Sequence, residues 1–506
     1  MAPINNEASV LALRIETTEG VPVLASSSGD FVSLQPGFEF SPETEELENL
    51  EIRSTIAPAA SRPGVERVNA SLDHYVRHSG VEGQEPDWGV LLESLLGGKD
   101  VEATEYDVTG GSTTTVLALP SGEGAQFREG QGLLIKDATN GRNIRNVKQV
   151  VGDNLHLNFA LPFAPASGTL LGKCVGYFGV DTGQKSLTGD LFRGQGGSRE
   201  VAAGLKVSEM AIDVAAAEYI NGSFTMVGTK YHFDAIEITA TSKFFDFNDG
   251  GDKSVSVAEK VYRDPYELAE ALETALNDSA STLVFSVIWN DYGANAGKFT
   301  ISADGNFNIE WNTGANAANT IGGKLGFSTA ADDTGDDSYT SDNAQDWSTS
   351  VISVTPSYDD ADPNIAVAAE LLIGDQDETF NVCATEMTIT TANTIVERRC
   401  ISAETGIDSI GIRRRTTTWE ISARLEPHEA RYFKKYRAND SLALMFNWGE
   451  KFGGNFVAGK SMNLYSPTAK ITAITVTDTD GDATLQMTCQ AFAEQGKTRE
   501  VFLNGL

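Results

Sequence analysis

Short runs in which apolar and polar residues alternate, broken by turns rich in Gly, Asp, Asn and Ser, recur along the whole chain. A period of two predicts β-strands joined as hairpins. The clearest hairpin runs from Ile471 to Val476, turns through Asp480 and Gly481, and returns from Leu485 to Cys489. Asp-Gly between two such runs supplies the positive-φ positions of a tight turn. A second hairpin pairs Leu205–Val214 with Gly222–Val227. Helical periodicity is confined to three places. Asp87 to Leu96 opens on an acidic residue and stops at Gly97 and Gly98. Asp264 to Leu276 has Pro265 at a first helical position and an apolar stripe of Leu268, Ala271, Leu272, Ala275 and Leu276. Pro427 to Tyr436 opens on proline as well. The expected fold class is mainly β with a few short helices.

The order of these elements repeats. Leu47–Ser54 corresponds in position to Ile395–Ser402. A long strand pattern follows in each half (Val65–Val76, Ile412–Leu425), then a short helix (87–96, 427–436), then one of the two hairpins. A duplication predicts one chain filling two equivalent slots of a ring. The expected division is a first β domain over 1–231 with an insertion at about 101–175, an acidic α+β module over 232–346, a linker over 347–364, and a second β domain over 365–506. The module is set apart by composition: 20 Asp plus Glu against 6 Lys plus Arg, a net of −14.

Charge narrows the function. The 506 residues carry 38 Lys plus Arg and 71 Asp plus Glu, a net of −33, which opposes stable binding to nucleic acid or to an anionic membrane surface. No apolar run reaches the length of about 20 residues needed to cross a membrane as a helix, and the opening Met-Ala-Pro-Ile-Asn-Asn-Glu has no leader pattern. Against that background, Glu397–Asp440 holds 10 basic and 7 acidic groups. Arg398, Arg399, Arg413, Arg414 and Arg415 sit beside strand patterns; Arg431, Lys434, Lys435 and Arg437 sit on the helix. A solvated face is the plain reading, and a docking surface for an acidic region of another copy is the sharper one.

Catalytic and metal chemistry find little to rest on. Asp478, Asp480 and Asp482 resemble the start of a calcium loop, but its sixth and twelfth positions hold Ala483 and Cys489 rather than Gly and Glu. The acidic loops 246–252 and 332–337 need no metal to exist in water. Among the five histidines only His74 and His78 share a ligand-like spacing, on what reads as a strand. Gly194–Ser198 lacks the context of a dinucleotide loop. Cys174, Cys383, Cys400 and Cys489 lie far apart and are expected to be reduced and buried. No cofactor and no catalytic residue is expected.

Two stretches carry a resemblance. Glu46–Ser54, Arg62–Arg67 and Trp88–Gly97, with the hairpin Ala203–Gly228, resemble tail tube proteins of long-tailed bacteriophages. Tyr266–Asn277, Gly297–Ser302 and Gly323–Gly335 are similar to a module inserted into phage virion proteins. The resemblance implies duplicated tail-tube β-sandwich domains forming a ring β-barrel, plus an outward-facing α+β insert. It further implies a structural, non-enzymatic virion protein, assembled in the host cytoplasm, whose stacked rings let DNA pass without specific binding. Trimeric rings with pseudo-sixfold symmetry are favoured over hexamers. Tape measure, tail terminator and tail-tip proteins are the partners implied, with no membrane. The alternative from another class is a calcium-dependent surface protein of the adhesin type.

Overall fold

The computed structural model describes residues 7 and 9–506, apart from 52–56, 58–59, 195–197, 346–355, 359–360, 376–377, 427–429, 480 and 494–498. Pro427, His428 and Asp480, and parts of the 194–198 run and of the 347–364 linker, lie outside the described residues.

Two sets of eight strands and one helix follow each other along the chain. The first set is Val10–Ile15, Phe31–Val32, Glu39–Leu47, Arg62–Tyr75, helix Gly89–Leu96, Leu187–Arg193, Ser198–Ala215, Asn221–Gly228 and Lys230–Phe233. The second is Glu370–Gly374, Thr379–Asn381, Ala384–Arg399, Ile407–Arg424, helix Ala430–Ala438, Leu442–Phe452, Asn455–Thr479, Asp482–Ala491 and Phe502–Gly505. Every strand pairing within the first set recurs within the second. Even an irregularity is repeated. Ser208 and Thr472 are each the extra residue of a bulge, and each donates its hydroxyl to the opposite strand, to the Thr225 carbonyl at 3.0 Å and the Thr488 carbonyl at 3.1 Å. The two halves are therefore structural copies.

Each copy has two layers because its longest strand serves both. The first half of Ser198–Ala215 pairs with Leu187–Arg193, and its second half, from Lys206 through the bulge, pairs with Asn221–Gly228. A bulge bends and twists a strand, which lets one strand leave one sheet and enter another. Strict alternation then buries one face: Met210, Ile212 and Val214 point inward while Glu209, Ala211 and Asp213 point out. The helix Gly89–Leu96 plugs the layers with Leu91, Leu92, Leu95 and Leu96, all buried, and ends where Gly97 takes φ 87°. One hydrophobic core runs through both copies, from Leu11 and Trp88 to Trp419 and Leu503.

The copies share a sheet. Ser198–Ala215 pairs with Ala384–Arg399, so eight strands run in the order 39–47, 62–75, 221–228, 198–215, 384–399, 407–424, 482–491, 455–479. A second tie comes from the insertion in the first copy. Its flanking strands Gly97–Glu102 and Cys174–Gly179 pair with each other, and Cys174–Gly179 also pairs with Phe502–Gly505 of the second copy. Between them, residues 106–171 form a separate six-stranded sheet with its own core around Leu117, Ile135 and Leu155. Its seam with the second copy is a buried asparagine network: Asn463 accepts from Asn146 at 2.7 Å and Asn504 at 3.0 Å, and donates to Asn447 at 2.6 Å. Three amide–amide bonds in a buried seam favour this docking arrangement, because a shifted one would break them.

Between the copies lies a third core, over Ile236–Phe327. Helix Pro265–Asn277 packs on a five-stranded sheet there, its start capped by Asp264, which accepts from the Glu267 amide at 2.8 Å. Ionic contacts hold this unit to the rest. Glu404 is reached by Lys230 and by Arg263, each at 3.2 Å.

Of the four cysteines, Cys174 and Cys489 are buried and all four are free thiols, but Cys383 and Cys400 are exposed. The expectation that all are buried is corrected: Cys400 follows the strand end at Arg399 and Cys383 precedes the strand start at Ala384, where side chains leave the core.

Candidate assembly edges

The shared sheet sets two kinds of strand edge side by side, one covered and one open. At the covered junction Ile212 stands opposite Ile389, and Asp213 opposite Thr388. The apolar side is closed: Ile212 and Ile389 are fully buried and Val214 is nearly so. On the polar side the Thr388 hydroxyl donates to Asp213 Oδ1 at 2.6 Å. Behind the junction, buried Asn393 donates to the carbonyls of Leu95 (2.9 Å) and Val207 (3.1 Å).

The open edges are Glu39–Leu47 at one end of the sheet and the second half of Asn455–Thr479 at the other. Among the described residues neither carries a further strand. The open half of 455–479 is the counterpart of 209–215, since both follow the repeated bulge. Ile474 thus corresponds to Met210 and Val476 to Ile212. Yet Val476 is 49% exposed where Ile212 is 0%. The other edge carries Pro42, Glu43, Glu45 and Glu46, all exposed. Proline and like charges are devices that keep an unpaired edge from joining strands at random.

The basic residues singled out in the sequence do not form one surface. Arg415 is enclosed: it ion-pairs with Glu500 and donates to the carbonyls of Leu96 (3.3 Å) and Val180 (3.4 Å). Arg431 lies over the Phe380 ring at 4.1 Å, and Lys435 pairs with Glu378 at 3.2 Å. Arg399 reaches Glu45 of the first copy at 3.0 Å, and Arg398 lies against Gly411. Arg413, Arg414, Lys434 and Arg437 are exposed. Arg413 and Arg414 line a cleft of about 520 Å³ with Asp181 and Gln490.

The remaining candidates sit as follows. His74 ends a strand and is buried beside Ser33 and Asp87; His78 is buried in the loop beyond it. Burial pushes both down to about 4. In the acidic loops, carboxylates are occupied by neighbouring donors: Asp332 accepts from the Asn312 amide at 2.7 Å, and Asp478 from the Gly481 amide at 2.9 Å. No group of three or more His, Cys, Asp or Glu that could hold a metal ion occurs among the described residues. The sequence did not reveal the edges, because edge and interior strands alternate alike. One signal was available: Pro and three Glu within 42–46 are the residues that guard an edge strand against chance pairing.

The fold is thus a tandem β repeat with two open strand edges. A family model described as phage tail tube protein matches residues 7–337, well over half of the chain. The chain belongs to that family, and with it to the structural proteins of the phage tail. No curated protein matches it. Among solved structures, the Hcp1 protein of E. coli EAEC 042 pathovar is similar over 26% of this chain and 95% of its own, at 10% identity and a TM-score of 0.17.

Proposed function

We propose that this chain assembles into closed rings, three chains to a ring, which stack into the tail tube and form the conduit for genome passage. The observation that carries the reading is the pair of open edges that reproduce, in the same order, the two strands of the covered junction. Joining Glu39–Leu47 of one copy to 471–479 of the next repeats a contact the chain already makes. Such a head-to-tail joint closes into a ring when the rotation per copy allows it, and closure leaves no edge exposed. Two tube domains per chain make three chains the count that yields six equivalent positions.

The polar face of the shared sheet would then line the lumen. In the second copy it is rich in hydroxyls, with Thr388, Thr390, Thr416, Thr418, Thr484 and Thr488 pointing that way. Asp73, Glu209 and Asp213 add negative charge in the first copy. Such a wall offers phosphates few cations, so DNA slides without sticking. The unit around Ile236–Phe327 stands outside the shared sheet and faces outward in this reading. Tape measure, tail terminator and tail-tip proteins are the further partners it implies.

Negative-stain microscopy of the purified chain is expected to show rings or hollow tubes. Val476→Lys, which places a charge on the bare counterpart of Ile212, is expected to leave unassembled chains of unchanged fold. Wild-type chains that stay monomeric at high concentration would sink the reading. Deleting 236–340, which spares the strand Lys230–Phe233, is expected to leave tubes intact but thinner at the rim, and their loss would contradict the outward placement.

A further inference from the structure

The two edges are complementary residue by residue. The repeated bulge sets the correspondence: Asp213 lies five residues beyond Ser208 and Thr477 five beyond Thr472, so Thr477 occupies the place of Asp213. On the other strand, Leu72 opposite Phe224 matches Ile421 opposite Met487. Glu39 opposite Ser71 therefore matches Thr388 opposite Glu420. At the covered junction a carboxylate (Asp213) accepts from a threonine hydroxyl (Thr388). At the open edges the same two places hold a threonine (Thr477) and a carboxylate (Glu39), with the roles exchanged between strands. Four residues along, the carboxylate changes strands again. Glu209 faces Ala392 inside the chain, and the equivalents are Ala473 and Glu43.

A second, independent observation points to the same partner. The Thr477 hydroxyl oxygen is shielded from water and has no hydrogen-bond partner among the described residues. A shielded hydroxyl left unpaired is costly, and native structures rarely leave one so. Glu39, at the far edge of the sheet, is exposed.

We infer that Thr477 of one copy donates its hydroxyl to the Glu39 carboxylate of a second copy, and that this bond sets the register of the joint between chains. The inference rests on the ring reading above. A strand can pair in many registers, and a slip of two residues keeps every side chain on its own face. With a slip of two, Thr477 comes opposite Ser41 in one direction and Gly37 in the other, and in neither does it meet a carboxylate. The hydroxyl–carboxylate pair therefore selects the register in which the joint between chains matches the joint within the chain. The exchange of roles also keeps carboxylates from facing each other across either joint.

The test is a swap. Thr477→Asp sets a carboxylate against Glu39 and is expected to raise the protein concentration needed for ring formation at least about tenfold, since a charge-assisted bond becomes a repulsion. Thr477→Val, which removes only the donor, should raise it less. The double variant Thr477→Asp with Glu39→Thr rebuilds the internal pair between chains and should return the concentration to the wild-type value. Thr388→Val, at the covered junction, should lower thermal stability without altering assembly. Circular dichroism of unassembled variants serves as the folding check. Thr477→Asp assembling as wild type, or a double variant as impaired as the single one, would overturn the register bond while leaving rings in place. Wild-type chains that form no rings would instead overturn the ring reading on which it rests.

Discussion

Arg415→Met is expected to destabilise the unassembled chain by about 3–5 kcal/mol, the usual cost of stranding one member of an enclosed ion pair. Arg415 stands on a second-copy strand, yet its partners belong to three other places: Glu500 near the last strand, the carbonyl of Leu96 at the end of the first copy's helix, and that of Val180 after the insertion. Both side chains are about nine-tenths shielded, at 8% and 10% exposure. The helix end adds to the effect, because its last carbonyls carry partial negative charge and gain from a guanidinium placed there. Removing Arg415 leaves Glu500 without its countercharge in a largely shielded site. Arg413→Met, two residues away and exposed, is expected to change stability by less than about 0.5 kcal/mol. Urea unfolding of both variants checks the contrast, and equal, small effects would return Arg415 to the surface role its sequence context suggested.

Acidification is the second large effect. His74, His78 and His232 are held near 4, against an ordinary 6.5, by burial first of all; Arg263 and Lys230 add to it at His232. A folded-state value below the unfolded one means the stability is present above pH 6.5 and is lost as pH falls from 6.5 through 4. Each histidine then contributes at most about 3 kcal/mol across that window. Asp234 works the other way. Burial raises it to about 6, so its contribution is present below pH 4 and is lost as pH rises through 6. Glu16 and Asp87, also raised by burial, act in the same sense as Asp234. Three histidines outweigh these carboxyls, so urea midpoints are expected to drop between pH 7 and pH 4.5. His232→Leu should flatten that drop, as neither ring nitrogen of His232 has a hydrogen-bond partner among the described residues. A midpoint unchanged over this range would contradict the expectation.

What the sequence disclosed and what it hid follow from the range of the forces involved. The hairpins at 205–227 and 471–489 and the helices at 89–96 and 265–277 are local. Alternation, Pro265 and Gly97 act within a turn or two of themselves, and these are where the structure puts them. The order of the repeat was legible for the same reason, copy by copy. The pairing of Cys174–Gly179 with Phe502–Gly505 was not, because nothing within either segment names a partner more than 300 residues away. The basic run from Arg398 to Arg437 misled through proximity in sequence. Successive strand residues point to opposite faces, so Arg414 meets solvent on the sheet while Arg415 turns into the interior. Thr477 illustrates the limit most sharply. Its identity matters only beside its counterpart Asp213, and that comparison needs the bulge at Ser208 and Thr472 to align the strands.

The covered junction between 198–215 and 384–399 would also change how the proposed ring is built in time. Two tube domains on separate chains must find each other by diffusion, each encounter surrendering the translational and rotational freedom of a whole molecule. Tied by a linker, the second domain stands at an effective concentration in the millimolar range, and the contact forms as part of folding. In the proposed ring, every other joint would thus be completed before any two chains meet. A ring of a given circumference needs half as many collisions, so its assembly rate depends on a lower power of chain concentration. Scarce chains early in an infection would gain the most from that lower order.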